Sequence, residues 1–309
     1  MDKLELIFDT DAGSDCDDMM ALAYLLYAKR HLNVDIKAVT HCVSTQYGPA
    51  AIRSFFRFFN EELPEIGKTV GGVVLEDKYC ESLAKKFATE QDYEKAPDAT
   101  KVLRKALATA KNKCVICAVG HFTNLAALLE SDADEISPLS GVSLVKEKCS
   151  QFVIMAGKFV EDENGERTQD WNIRWDVPST KTFFNLSPVP IVILPSETGR
   201  DVITGEKAVI KYGDSTPLTL SFLCWLKKVA GRCSWDPMTA IYAVEGKRDF
   251  FKESGKGNVS VTDDGTTYFE ADEGGKFTIL SPDFDSNSNI IKKIGDYIDT
   301  CAEDVLQTK

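Results

Sequence analysis

Histidine is nearly missing from this 309-residue chain: His31, His41 and His121 are the three, and none lies beyond position 121. A histidine acid or metal ligand in the C-terminal half is thereby excluded. No apolar run exceeds the length of a strand, so no membrane span is expected. Basic residues are in deficit, 36 Lys and Arg against 48 Asp and Glu, and the net charge of −12 argues against binding nucleic acid through its phosphates. Repeats and low-complexity tracts are absent. No basic and then apolar segment precedes LELIFDT, so export is not expected. Nine cysteines, an odd number scattered from Cys16 to Cys301, build no disulfide framework and read as thiols of a cytoplasmic protein. The CxxC at Cys114 and Cys117 sits in strand-like CVICAVG. Residues three apart on a strand face opposite ways, so a paired metal or redox site is not expected there.

A hydrophobic share of 43% suits one soluble domain over residues 1–309. Strand-like runs alternate with helical patterns: LELIFDT before DDMMALAYLLYAKR, VDIKAVTHC before PAAIRSFFRFFNEE, KCVICAVG before FTNLAALLES. With QFVIMAG and PIVILP as further strands, the pattern predicts an α/β fold, an open and mostly parallel sheet with helices on both faces. Ligands of such sheets bind beyond the carboxyl ends of the strands. A small appended β-hairpin is expected near residues 258–280, and a final amphipathic helix from about Ser286 to Asp304. His31, ending the first helix, is expected to be exposed.

The first strand runs into D9-T-D11-A-G-S-D15-C-D17-D18, five carboxylates around one turn. Capping and the helix dipole account for one or two acids at a helix start. Five repel one another unless a cation neutralises them, and hard oxygen ligands at this density suit Ca2+ or Mg2+ rather than zinc. An EF-hand is excluded because its glycine and glutamate positions hold Ser14 and Met20. A phosphatase with an Asp9 nucleophile also places D-x-D after its first strand, and a nucleoside-binding protein without catalysis is a further alternative.

Four blocks together resemble the inosine-uridine type nucleoside hydrolase family: the acidic loop; GHFTNLAALL at Gly120 to Leu129; NGERTQDWNIRWDVP from Asn164; and S-W235-D236-P-M-T-A-I. His121 stands where the family usually has proline, Asp170 where it has glutamate, and Trp235 where many members have histidine. The resemblance implies hydrolysis of ribonucleosides to free base and ribose, with Ca2+ held by Asp11, Asp18, Asp236 and the Thr123 carbonyl. It further implies a calcium-activated water attacking C1′ with Asp11 as its base, Asp17 on the 2′-hydroxyl, Asn172 donating and accepting at the 3′-hydroxyl, and Asn164 with Asp170 at the 5′ end. Asp9 and Asp15 are left as support. Trp235, stacking on the base, resembles the purine-selective branch, so purine nucleosides (adenosine, guanosine, inosine) are favoured over a pyrimidine or broad specificity. His41, following the second strand, is expected near the pocket mouth, touching the base. The segment from about Gly71 to Glu90 is expected to be a flexible loop shaping the base side. Family resemblance also implies a homodimer or homotetramer.

Overall fold

The computed structural model describes residues 2–161, 164–282 and 289–307. Its strands are β1 (Leu4–Thr10), β2 (Val34–Val43), β3 (Glu65–Val73), β4 (Cys114–Ala118), β5 (Cys149–Met155), β6 (Ile191–Leu194), β7 (Ile203–Thr204), β8 (Arg232–Cys233), β9 (Phe251–Glu253), β10 (Gly257–Val261), β11 (Thr267–Ala271) and β12 (Phe277–Pro282). One sheet takes the order β11-β10-β12-β6-β5-β4-β1-β2-β3, with β9 pairing on β12. From β3 to β12 all neighbours are parallel. The chain builds outward from β1 to β2 and β3, then returns to lay β4 on the other side of β1. That reversal opens a crevice at the carboxyl ends of β1 and β4.

The hairpin expected near 258–280 is present as β10 and β11, and it continues the sheet: β12 pairs in parallel with β6 through Phe277 to Ile279. A separate two-stranded ribbon, β7 with β8, was not foreseen, since two-residue strands carry no periodicity.

Thirteen α-helices are described, besides a 3-10 turn at Glu90–Tyr93: α1 (Asp17–His31), α2 (Gly48–Phe58), α3 (Cys80–Phe87), α4 (Ala99–Ala108), α5 (Thr123–Glu130), α6 (Gly141–Lys148), α7 (Trp171–Arg174), α8 (Val177–Leu186), α9 (Ser196–Gly199), α10 (Glu206–Tyr212), α11 (Pro217–Leu226), α12 (Trp235–Glu245) and α13 (Ile290–Gln307). They cover both faces of the sheet, giving two cores. Leu6 and Phe8 of β1 point into the core under α1, α2, α11, α12 and α13, while Ile7 points into the one under α4, α5, α6 and α8. The same alternation sends Cys114 and Cys117 into opposite cores, and all nine cysteines are unpaired. Helix α1 is buried along most of its length because α11, α12 and α13 close over it. Helix α13 presents Ile294, Ile298, Cys301 and Val305 as one buried stripe. It starts at Ile290, and the expected start at Ser286 lies outside the described residues. Among the described residues no helix is long and apolar enough to cross a membrane.

Candidate active site

A cavity of about 250 Å³ opens at the carboxyl ends of the parallel strands, lined by Asp11, Val119, Met155 and Ser196, which follow or end β1, β4, β5 and β6. The far wall comes from Trp225, Arg232, Trp235 and Asp236. Five aspartates (Asp11, Asp15, Asp17, Asp170, Asp236) face one arginine there, so the cavity favours positive charge.

The acidic loop is fixed by its own short contacts. Asp9 is fully buried and accepts hydrogen bonds from Thr40 of β2 and, at 2.8 Å, from Asn124 of α5. It therefore clamps the start of α5 against β1, and burial raises its pKa to about 7. Having no exposed surface, Asp9 cannot be a phosphatase nucleophile, which must reach its substrate. Asp11 lines the cavity, with Oδ2 held by Ser14 Oγ and 3.6 Å from His121 Nδ1. Asp18 accepts from Thr10, while its Oδ2 is buried with no partner.

Asp17, Asp18 and Asp236 bring carboxylate oxygens within 4.8 Å of one another, and Asp236 N donates to Asp17 Oδ2 at 3.1 Å. Burial first, and repulsion by neighbouring carboxylates second (Asp15 on Asp17, Asp11 on Asp18, Asp17 on Asp236), hold all three well above the usual carboxylate range. Burial likewise raises Asp11. Such a cluster is stable as anions only with a cation in it; the orphaned Asp18 Oδ2 and the all-oxygen donor set fit a hard divalent ion. The Asp17 carboxylate, expected at the sugar, lies within this trio and also lines the cavity, as does Asp11. Thr123 opens α5 after the short turn that follows β4 and does not line the cavity; its hydroxyl donates to Asp176, which caps α8.

Opposite the acids, Asp170 caps α7 through Asn172 N at 3.0 Å and accepts from Ser196 Oγ. Burial pushes its pKa up to about 6. Both amide hydrogens of Asn172 are taken by main-chain carbonyls, Val119 at 2.7 Å and Met155 at 3.1 Å, tying the ends of β4 and β5 together. Its Oδ1 alone is left for a ligand, so the expected donation to a hydroxyl is corrected to acceptance alone. Asn164 is exposed and does not line the cavity.

Two expectations for the pocket rim change, those for His41 and for the segment from Gly71 to Glu90, while His31 is exposed as expected. β2 runs on to Val43, so His41 lies within the strand rather than after it. It is fully buried, Nε2 bonds the Ala12 carbonyl at 2.8 Å, and a side-chain carbon on Gly48 would meet the ring at 2.2 Å. His41 therefore supports the acidic loop from behind, as a neutral ring whose pKa burial lowers to about 4. The stretch from Gly71 to Glu90 holds the end of β3 and helix α3, and none of it lines the cavity. It braces the loop, with Lys78 N donating to Gly13 O at 2.9 Å and Cys80 Sγ touching Ala12 O at 3.3 Å. His31 contacts Asp304 at 2.9 Å.

Trp225 and Arg232, which carried no sequence signal, complete the wall beside Trp235. Trp235 Nε1 donates to Ser196 O at 2.6 Å and Trp225 Nε1 to Ser14 O at 2.7 Å. Arg232 lies 4.1 Å from the Trp225 ring centre and 4.9 Å from that of Trp235, and grips Asp15 through Nε and Nη2.

A model of the family described as inosine-uridine preferring nucleoside hydrolase matches residues 6–295. No curated protein sequence matches the chain. Among solved structures, an inosine-uridine preferring nucleoside hydrolase from Bacillus anthracis is 18% identical, with 97% of this chain and 99% of that one covered and a TM-score of 0.69. A purine-preferring ribonucleoside hydrolase from Gardnerella vaginalis is 14% identical over 97% of this chain and 99% of that one, at a TM-score of 0.71. An inosine-guanosine nucleoside hydrolase is 16% identical over 98% of both chains, at 0.73. At such identities the structures establish a shared fold.

Proposed function

Because the chain belongs to the inosine-uridine preferring nucleoside hydrolase family, a family of enzymes that hydrolyse nucleosides, we propose that it cleaves the N-glycosidic bond of purine ribonucleosides with the help of calcium. The observation that carries this reading is the cavity that joins a buried carboxylate cluster on one side to an indole wall on the other. Asp18 and Asp236, with Asp17 in the same cluster and Asp11 lining the same cavity, are the residues that would hold the ion, together with the Thr123 carbonyl that the family resemblance implies. When bound, it neutralises the cluster and adds Lewis acidity toward sugar hydroxyls and water.

Asp11 takes a proton from the water that attacks C1′. Cleavage develops positive charge on the sugar, and the surplus of carboxylates around the cavity stabilises it. Asp17 and the Oδ1 of Asn172 accept from ribose hydroxyls, and Asp170, aligned by Ser196, accepts at the 5′ end. Trp235 flanks the base with a broad polarizable face, which favours purines. A homodimer or homotetramer in a reducing cytosol is the setting we assign, the latter on the nine unpaired thiols.

Release of free base and ribose from inosine, adenosine or guanosine, abolished by EDTA and restored by Ca2+, is the expected result. Tight binding without turnover would favour a binding protein instead. Deoxyribonucleosides, lacking the 2′-hydroxyl, should be turned over at least ~100-fold more slowly; comparable rates would remove the sugar contacts assigned here.

A further inference from the structure

The departing base leaves with the electron pair of the broken bond, and none of the three histidines lines the cavity to protonate it. One cation does line it. Arg232 directs Nε to both oxygens of Asp15, at 3.0 and 3.2 Å, and Nη2 to Oδ2 at 2.5 Å. Its plane is flanked by Trp225 and Trp235, both anchored through their indole nitrogens. Among the described residues Nη1 has no hydrogen-bond partner, although the side chain is only part-exposed and borders the cavity. A guanidinium held along its Nε–Nη2 edge by Asp15 and bounded by two indoles is restrained from swinging away, so Nη1 is a donor pre-oriented before any charge develops.

We propose that Arg232 is the catalytic residue on the base side, donating from Nη1 to an acceptor atom of the leaving base and stabilising its negative charge. This rests on the hydrolase reading. It gives Asp15 a function as well: as the bidentate partner it is a positioning residue that aims the guanidinium. In the step itself the C1′–N bond breaks with its electrons going to the base nitrogen, and water forms the new C1′–O bond after losing a proton to Asp11. The base departs as an anion hydrogen-bonded to Arg232, which keeps its own proton, and is then protonated by solvent. Trp235 accordingly flanks both base and guanidinium.

The decisive measurement compares kcat/KM for inosine with that for 4-nitrophenyl β-D-ribofuranoside, whose phenolate leaves without assistance. Arg232→Gln should lose roughly 100-fold or more on inosine, the effect of deleting one pre-oriented donor, and less than about threefold on the nitrophenyl riboside. Asp15→Asn, which keeps the guanidinium and loosens its aim, should lose about tenfold on inosine alone. Equal losses on both substrates, or no loss on inosine, would overturn the role of Arg232. Should Arg232→Gln fail to fold, the same contrast in Asp15→Asn decides. Wild-type protein inert toward both ribosides sinks the hydrolase reading and this inference with it, an outcome distinct from an active enzyme whose variants do not discriminate.

Discussion

Asp11, Asp170 and Trp235 reach the same cavity from different elements; Asp11 is held by Ser14, whereas Asp170 and Trp235 both rest on Ser196, so a substitution at Asp11 should be separable from those at the other two. Asp11→Asn removes the base while keeping the Ser14 contact, and kcat on inosine should fall by roughly 10²–10⁴ with the melting temperature little changed. Trp235→Ala should slow purine ribosides roughly three- to tenfold more than uridine; equal effects would remove the stacking role. Asp170 has a folded-state pKa of about 6 against an ordinary 3.8, so the fold favours its neutral form. The sign follows: that contribution is fully present below about pH 4, declines as pH rises, and is gone above about 6. Asp170→Asn should therefore flatten the stability profile across that window and leave the variant more stable than wild type above it, by up to about 3 kcal/mol. Denaturant titrations at pH 4.5 and 8 measure the difference; a variant destabilised at both would contradict it.

At the level of elements, the site depends on β1, β4 and α5 meeting at one place. Val119 N continues the ladder to Asp9 O at 2.8 Å, and Gly120 then passes so close to Asp11 that a side-chain carbon would sit 2.7 Å from Asp11 N and 2.8 Å from its Cβ. Gly120→Ala must push the base of the acidic loop aside, and misplacement of about 1 Å costs roughly 100-fold. A tenfold or greater fall in kcat is expected, read alongside an unchanged far-UV circular dichroism spectrum; normal kinetics would show that the loop has slack. The four motif blocks were legible in the sequence because each is a short contiguous stretch at a strand end or helix start, where spacing is preserved in the fold. His41 was misplaced for an equally local reason. β2 extends to Val43, so the residue read as following the strand lies inside it, against Gly48.

Over the molecule as a whole, burial of mutually repelling carboxylates means that the cation-free protein holds a destabilising cluster at its centre. A ligand that binds the folded state alone, at a hundred times its Kd, adds about 2.7 kcal/mol. Ca2+ should accordingly raise the melting temperature by several degrees and EDTA should reverse it, whereas Asp18→Asn should be insensitive to both. Differential scanning fluorimetry checks this without relying on turnover.

The sequence by itself determined the alternation of strands and helices, the parallel sheet, the acidic loop and the order of the blocks, because periodicity and motif spacing are local properties of the chain. Only the tertiary structure decided that Asp17 joins Asp18 and Asp236, that Asn172 gives its amide hydrogens to the backbone, and that Arg232 closes on Asp15 from a position 217 residues away. Such pairings arise where distant segments are packed side by side, and no local pattern encodes which of many charged residues will meet.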